Sequence, residues 1–98
     1  MKCYISLPIT GYDLNERRET AAKIEERLHN LGFETVNPLS KGLPDNAPYE
    51  EHLKLDLRLL LDCDHIYLAK GWEKSNGCRL ESEVAEKCGL LMILNDFN

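Results

Sequence analysis

Short apolar, β-leaning runs alternate with longer segments of helical period along this whole chain. That alternation constrains the fold more than any single motif. Strands separated by helices pair in parallel through right-handed crossovers, and the helices cover the sheet. The first run is Cys3-Tyr4-Ile5-Ser6-Leu7, stopped by Pro8. Asp13 or Asn15 can cap the helix that follows, in which Leu14, Ala21, Ile24, Leu28 and Leu31 recur on one face. Gly32 ends that helix. Phe33 to Asn37 reads as a second strand, ended by Pro38. Residues 38 to 47 carry Pro, Gly, Lys, Asp and Asn without a period and read as a loop. Pro48 suits the first turn of a second helix, whose face is Leu53, Leu57, Leu60 and Leu61 and which runs to about Asp62. His65 to Ala69 is a third strand, and Lys70 to Asn76 is a loop containing Gly71 and Trp72. Gly77 to Cys88 is a third helix, closed by Gly89. Leu90 to Leu94 is a fourth strand, apolar at every position, which fits a parallel sheet covered on both faces.

These elements predict an α/β fold of flavodoxin or Rossmann type: a small parallel sheet, order 2-1-3-4, flanked by helices. At 98 residues the chain reads as one domain spanning 1–98. In that order the winding reverses between the first and third strands. Ligands of such sheets bind at the carboxyl ends of the strands beside that point. The loops there are Leu7 to Tyr12 and Lys70 to Gly77.

A chain this short buries a core with little to spare. A second copy would help enclose a site, so a homo-oligomer is expected. Net charge is -5, with 17 acidic against 12 basic residues and no Lys/Arg-rich run. That argues against a nucleic acid polymer as partner, but not against one mononucleotide. No apolar run approaches the ~20 residues needed to span a bilayer, and Met1-Lys2 leads straight into a strand pattern. A soluble, cytoplasmic protein with no membrane partner is expected.

Cys3, Cys63, Cys78 and Cys88 show no metal-binding spacing. Cys3, Cys63 and Cys88 lie in or beside apolar segments and read as small buried residues. Cys78 lies in a polar turn, where a reactive thiol would need a specific electropositive setting. His29, His52 and His65 share no spacing, so neither a metal site nor a His-based triad is supported. No cofactor motif is present.

The run Ser75-Asn76-Gly77-Cys78-Arg79-Leu80-Glu81 follows an apolar strand and opens a helix. The first amides of a helix have no intrahelical partner, so such a turn suits an anion. Glu81 falls about one turn further on. A carboxylate beside an anion cradle makes sense for a sugar phosphate. The plainer reading makes Ser75 an N-cap and Glu81 a solvated helix residue.

Together these pieces resemble the nucleoside 2-deoxyribosyltransferase superfamily, which includes the 2'-deoxynucleoside 5'-phosphate N-hydrolases. The resemblance runs from Tyr4 to about Leu94. It rests on Tyr4-Ile5-Ser6-Leu7-Pro8-Ile9-Thr10-Gly11, on Asp56-Leu57, on Cys63-Asp64, and on Ser75 through Glu81 with Ala85 and Gly89. Gly71-Trp72-Glu73-Lys74-Ser75 looks most like a short, uncharacterised bacterial and phage branch. The resemblance implies a nucleophilic glutamate at Glu81, an active-site aspartate at Asp56, and a tyrosine at Tyr4 that orients the nucleophile. It implies phosphate-binding loops at Leu7, Pro8, Ile9, Thr10 and Gly11 and at Ser75, Asn76 and Gly77. The implied activity is cleavage or transfer of the N-glycosidic bond of a 2'-deoxynucleoside or its 5'-monophosphate, with no metal and no cofactor. The departing base leaves an oxocarbenium-like sugar, which a carboxylate stabilises and traps. Two departures stand out. The family often has Glu-Leu-Gly at the nucleophile, where this chain has Glu81-Ser82-Glu83. The chain is also shorter than typical transferases, whose C-terminal segments help complete a neighbour's site. Both leave open a non-catalytic nucleotide or nucleotide-sugar binding module.

Read without the resemblance, Asp56 is a solvated helix acid and Tyr4 a packed strand residue with a hydrogen-bonded hydroxyl. Trp72 either stacks on a base or covers the core. Asp64 caps the third strand or pairs with a backbone amide. Arg17 and Arg18 are placed for phosphate, or for solvent.

Overall fold

The structure, a computed structural model, describes residues 1–94. Its elements are β1 (Lys2–Ser6), α1 (Leu14–Asn30), β2 (Glu34–Val36), α2 (Tyr49–Leu61), β3 (His65–Leu68), α3 (Asn76–Lys87) and β4 (Leu91–Leu94). Short 3-10 turns at Pro38–Ser40 and Trp72–Lys74 interrupt two of the loops. All strand pairs are parallel and the sheet order is β2-β1-β3-β4, the order expected from the sequence.

The period-2 alternation of β1 and β3 sorts their side chains onto two faces. Cys3, Ile5, Leu7, Tyr67 and Ala69 form one core with Ala21, Ile24 and Leu28 of α1. Tyr4, Ile66 and Leu68 form the other with Leu60, Cys63 and Ala85, beneath α2 and α3. The winding reverses after β2, so α1 lies on one face and the other two helices on the opposite one. Tyr4 and Ser6 therefore point toward α3.

Helix starts follow local chemistry. The Asp13 carboxylate accepts from Asn15 N at 3.4 Å and caps α1, so Asp13 rather than Asn15 is the cap. Ser75 Oγ accepts from Cys78 N at 3.2 Å and caps α3.

Several expectations about burial fail at the margins. β4 is not covered on both faces: among the described residues it is the sheet edge, with Leu91 63%, Met92 38% and Leu94 51% exposed. Leu31 is exposed because it lies one residue past α1, beyond the span that faces the sheet. Leu61 is exposed at the last position of α2, turned away from the face that buries Leu60. Cys88 is exposed as the C-cap of α3, unlike Cys3, Cys63 and Cys78. No helix among the described residues is long and apolar enough to cross a membrane.

Candidate active site

A cleft of about 1580 Å³ opens at the carboxyl ends of β1 and β3, where the winding reverses. Its two loop walls touch. Gly71 has φ +88, and a Cβ there would lie 3.7 Å from both Pro8 Cγ and the Tyr12 hydroxyl. Ala69 N donates to Ser6 O at 2.9 Å, fixing the two strand ends side by side. Arg17 secures the first loop. Its Nη1 donates to Pro8 O at 3.2 Å, its Nε and Nη2 bind the Glu16 carboxylate at 2.6 and 2.7 Å, and its guanidinium lies 4.1 Å from the Tyr12 ring centre. With those donors engaged, Arg17 acts as a strap for the loop. Arg18, on the exposed side, pairs with Asp45 at 3.1 Å.

Glu81 lies in the cleft wall, 7% exposed. The Tyr4 hydroxyl donates to its Oε2 at 2.5 Å, and Ser6 Oγ donates to its Oε1 at 2.7 Å. Glu81 is thus no solvated helix residue. Alternation along β1 brings both hydroxyls to the α3 face, and the Ser75 cap sets the rotation of α3 that aims Glu81 at them. Burial pushes the Glu81 carboxyl up to about 7, against the two hydroxyl hydrogen bonds, which favour the anion. Burial and the neighbouring Glu81 charge hold the Tyr4 phenol well above its usual range, so it stays a donor.

Asp56 lies across the cleft on α2, and its charge acts on Glu81. Burial raises its carboxyl, while Lys41 and His52 work in the opposite direction. Lys41 Nζ donates to Asp56 Oδ1 at 2.7 Å. A carboxylate pair of this kind, one member held by hydroxyls and the other by an ammonium, separates two roles: a nucleophile and an acid or base.

The loop residues expected at the site divide. Leu7, Pro8, Ile9, Thr10, Ser75, Asn76 and Gly77 line the cleft. Gly11 and Trp72 do not. Gly11, at φ +89, turns the chain so that Tyr12 N reaches Ile9 O at 3.1 Å. Trp72 packs against the Tyr4–Leu60 core, the covering role weighed against base stacking. Cys78 is buried, and burial raises its thiol, which opposes thiolate chemistry. Asp64 accepts from Lys2 N at 3.1 Å, a structural bond between strands. Glu83 is exposed, so its charge lies away from the cleft. Among the described residues, no group of three or more His, Cys, Asp or Glu is arranged to hold a metal.

Sequence reasoning missed Ser6, Lys41 and His52. The alternation of β1 could have found Ser6, two positions from Tyr4. The i, i+4 spacing of His52 and Asp56 could have placed His52 on the same face of α2. Nothing local marks Lys41, which reaches the site from an irregular loop. The His52 Nε2 atom is buried without a hydrogen-bond partner.

The fold has known relatives. It is similar to a 2-deoxyribosyltransferase from Bacillus psychrosaccharolyticus, with a TM-score of 0.69 at 19% identity over 96% of this chain and 71% of that one. It is similar to the Clostridium botulinum CMP N-glycosidase BcmB, with a TM-score of 0.66 at 19% identity over 96% and 70% of the two chains. It is also similar to a 2-desoxiribosyltransferase from Leishmania mexicana, with a TM-score of 0.72 at 12% identity. There the alignment covers 95% of this chain but 62% of the Leishmania chain. At these identities the likeness is one of fold, the fold that the sequence resemblance implied. No curated protein matches the chain by sequence. The family model that matches covers residues 1–94, so the chain belongs to the family described as Domain of unknown function (DUF4406).

Proposed function

We propose that the chain is an enzyme that cleaves or transfers the N-glycosidic bond of a 2'-deoxynucleoside or its 5'-monophosphate, with Glu81 as the nucleophile. One observation carries the reading: a buried carboxylate in a ligand-sized cleft has both oxygens oriented by hydroxyl donors. A structural glutamate gains nothing from a cleft wall, whereas a nucleophile needs one fixed rotamer and access to the anomeric carbon. In the first step a Glu81 oxygen bonds to the anomeric carbon as the C–N bond breaks. Asp56, in its protonated form, gives the departing base a proton. Water then displaces the sugar from Glu81 and returns a proton to Asp56, which gives hydrolysis. A second base in place of water gives transfer. The structural neighbours are named as a 2-deoxyribosyltransferase and a CMP N-glycosidase, which supports this substrate class. The loops at Leu7–Thr10 and Ser75–Gly77 line the cleft and are where this reading puts a 5'-phosphate, beside the first-turn amides of Asn76 and Gly77, which have no intrahelical partner. A second copy of the chain is part of the reading, since β4 leaves an apolar strand edge exposed.

The test is incubation with the four deoxynucleoside 5'-monophosphates and the free deoxynucleosides, following released base by chromatography. Release by wild type, reduced at least about 10³-fold in E81Q, is the expected outcome. Equal release by E81Q contradicts the mechanism. Saturable binding of a nucleotide by calorimetry, with no base released from any substrate, favours the binding module instead.

A further inference from the structure

Of the charged side chains that line the cleft and that the mechanism leaves without a role, Lys41 is paired directly with Asp56. Lys41 comes from the irregular connection between β2 and α2, yet its side chain is only 10% exposed. Its placement is built rather than incidental. Asn37 Oδ1 accepts from Leu39 N at 3.0 Å and caps the 3-10 turn at Pro38–Ser40. Asn37 Nδ2 donates to Glu25 of α1 at 3.2 Å, tying the turn to the opposite layer. Leu39 packs against the α1 core. Gly42, at φ +89, takes a left-handed conformation directly after Lys41. A lysine held this way loses side-chain freedom, a cost that an exposed lysine avoids. What it gains is a 2.7 Å contact with Asp56, whose own side chain is 20% exposed.

We propose that Lys41 is a positioning residue: its ammonium, locked against Asp56 Oδ1 inside the cleft, orients that carboxyl so that its other oxygen faces the substrate. The inference rests on the glycosidic reading for the use made of that carboxyl, but its test needs no turnover. The groups facing Glu81 are Tyr4 and Ser6 from β1, Asp56 from α2, Lys41 from the loop, and Cys78 from its own helix. His52 faces Asp56 from one turn earlier on α2. A cation bonded to one carboxyl oxygen lowers that group's midpoint and leaves the other oxygen free of the contact. The charge of Lys41 acts on both.

The experiment is a 13C NMR titration of side-chain carboxyls in wild type, K41M, K41Q and K41R, with E81Q and D56N assigning the two signals. In K41M the Asp56 carboxyl midpoint moves up by about one pH unit. K41R, which keeps the charge, stays close to wild type. K41Q reads the loss of charge while keeping a hydrogen-bond donor, and serves if K41M does not fold. Midpoints unmoved in a folded, charge-free variant overturn the proposal, since a lysine that merely packs leaves carboxyl titration alone. Moved midpoints in a protein that releases no base from any substrate uphold the charge assignment while the glycosidic reading fails. Where base is released, the limb of the rate profile set by Asp56 moves with its midpoint.

Discussion

Tyr4 is fully buried, and its hydroxyl reaches Glu81 Oε2 at 2.5 Å. Removing that donor leaves a buried carboxylate oxygen with one partner fewer, which disfavours the anion. In Y4F, therefore, Glu81 titrates higher than its wild-type value of about 7. Base release at pH 7 falls about 10- to 100-fold. The loss shrinks toward pH 9, where the carboxyl ionises regardless. A pH–rate profile checks this, and a loss equal at every pH contradicts it. The same raised carboxyl bears on stability. Glu81 moves from an ordinary 4.5 to about 7 on folding, so between those values the folded state holds more protons than the unfolded one. Stability from this group is full below pH 4.5 and falls as pH rises through 7, by an amount on the order of 3 kcal/mol. Denaturant titrations across that window are expected to show the decline in wild type and a flatter profile in E81Q. At this scale Glu81, Tyr4 and Asp56 were singled out by the family resemblance, because a regular position in a strand or helix does not by itself distinguish a site residue from a packed or solvated one. Lys41 was not, since the reach of a loop side chain depends on where the loop is anchored in three dimensions. Trp72 was readable either way, because a loop aromatic serves core or ligand with the same chemistry.

The elements position these groups, and α3 matters most. Its N-cap, Ser75, holds Cys78 N at the cleft while Glu81 sits further along the same helix. S75A is expected to cost about 1 kcal/mol of stability, measured by denaturant unfolding. The freed first turn is also expected to weaken binding of a 5'-monophosphate more than of the free nucleoside. Equal weakening of both would separate the turn from phosphate. Alternation and caps made the order and type of every element readable from sequence, with ends displaced by a residue or two. Burial was readable at the centre of elements and not at their ends. Ile24 and Leu28, inside α1, are buried as their spacing predicts. Leu31 and Leu61 are not, because they continue an apolar face past the point where the helix meets the sheet. β4 misleads for a different reason. An all-apolar strand reads as covered, but whether anything lies beyond its edge is a property of the assembly, not of the segment.

For the molecule as a whole, that edge predicts association. Exposed Leu91, Met92 and Leu94 on the edge strand of the described sheet are a ready surface for a second copy. Sedimentation velocity is expected to show an oligomer, converted toward monomer by L91E; a monomeric wild type contradicts this. The sheet order, the reversal between β1 and β3, and the cleft at that point form one chain of consequences from the strand–helix alternation. Glu81 at that cleft is where fold becomes chemistry, and the covalent bond it is proposed to form is the account's central claim. The most direct measurement is mass spectrometry of the intact protein, acid-quenched during reaction with the deoxynucleosides and their 5'-monophosphates. The account predicts a glycosyl adduct that maps to the peptide containing Glu81 and is absent from E81Q. Base release by wild type with no adduct on Glu81, at a rate that E81Q retains, would contradict it.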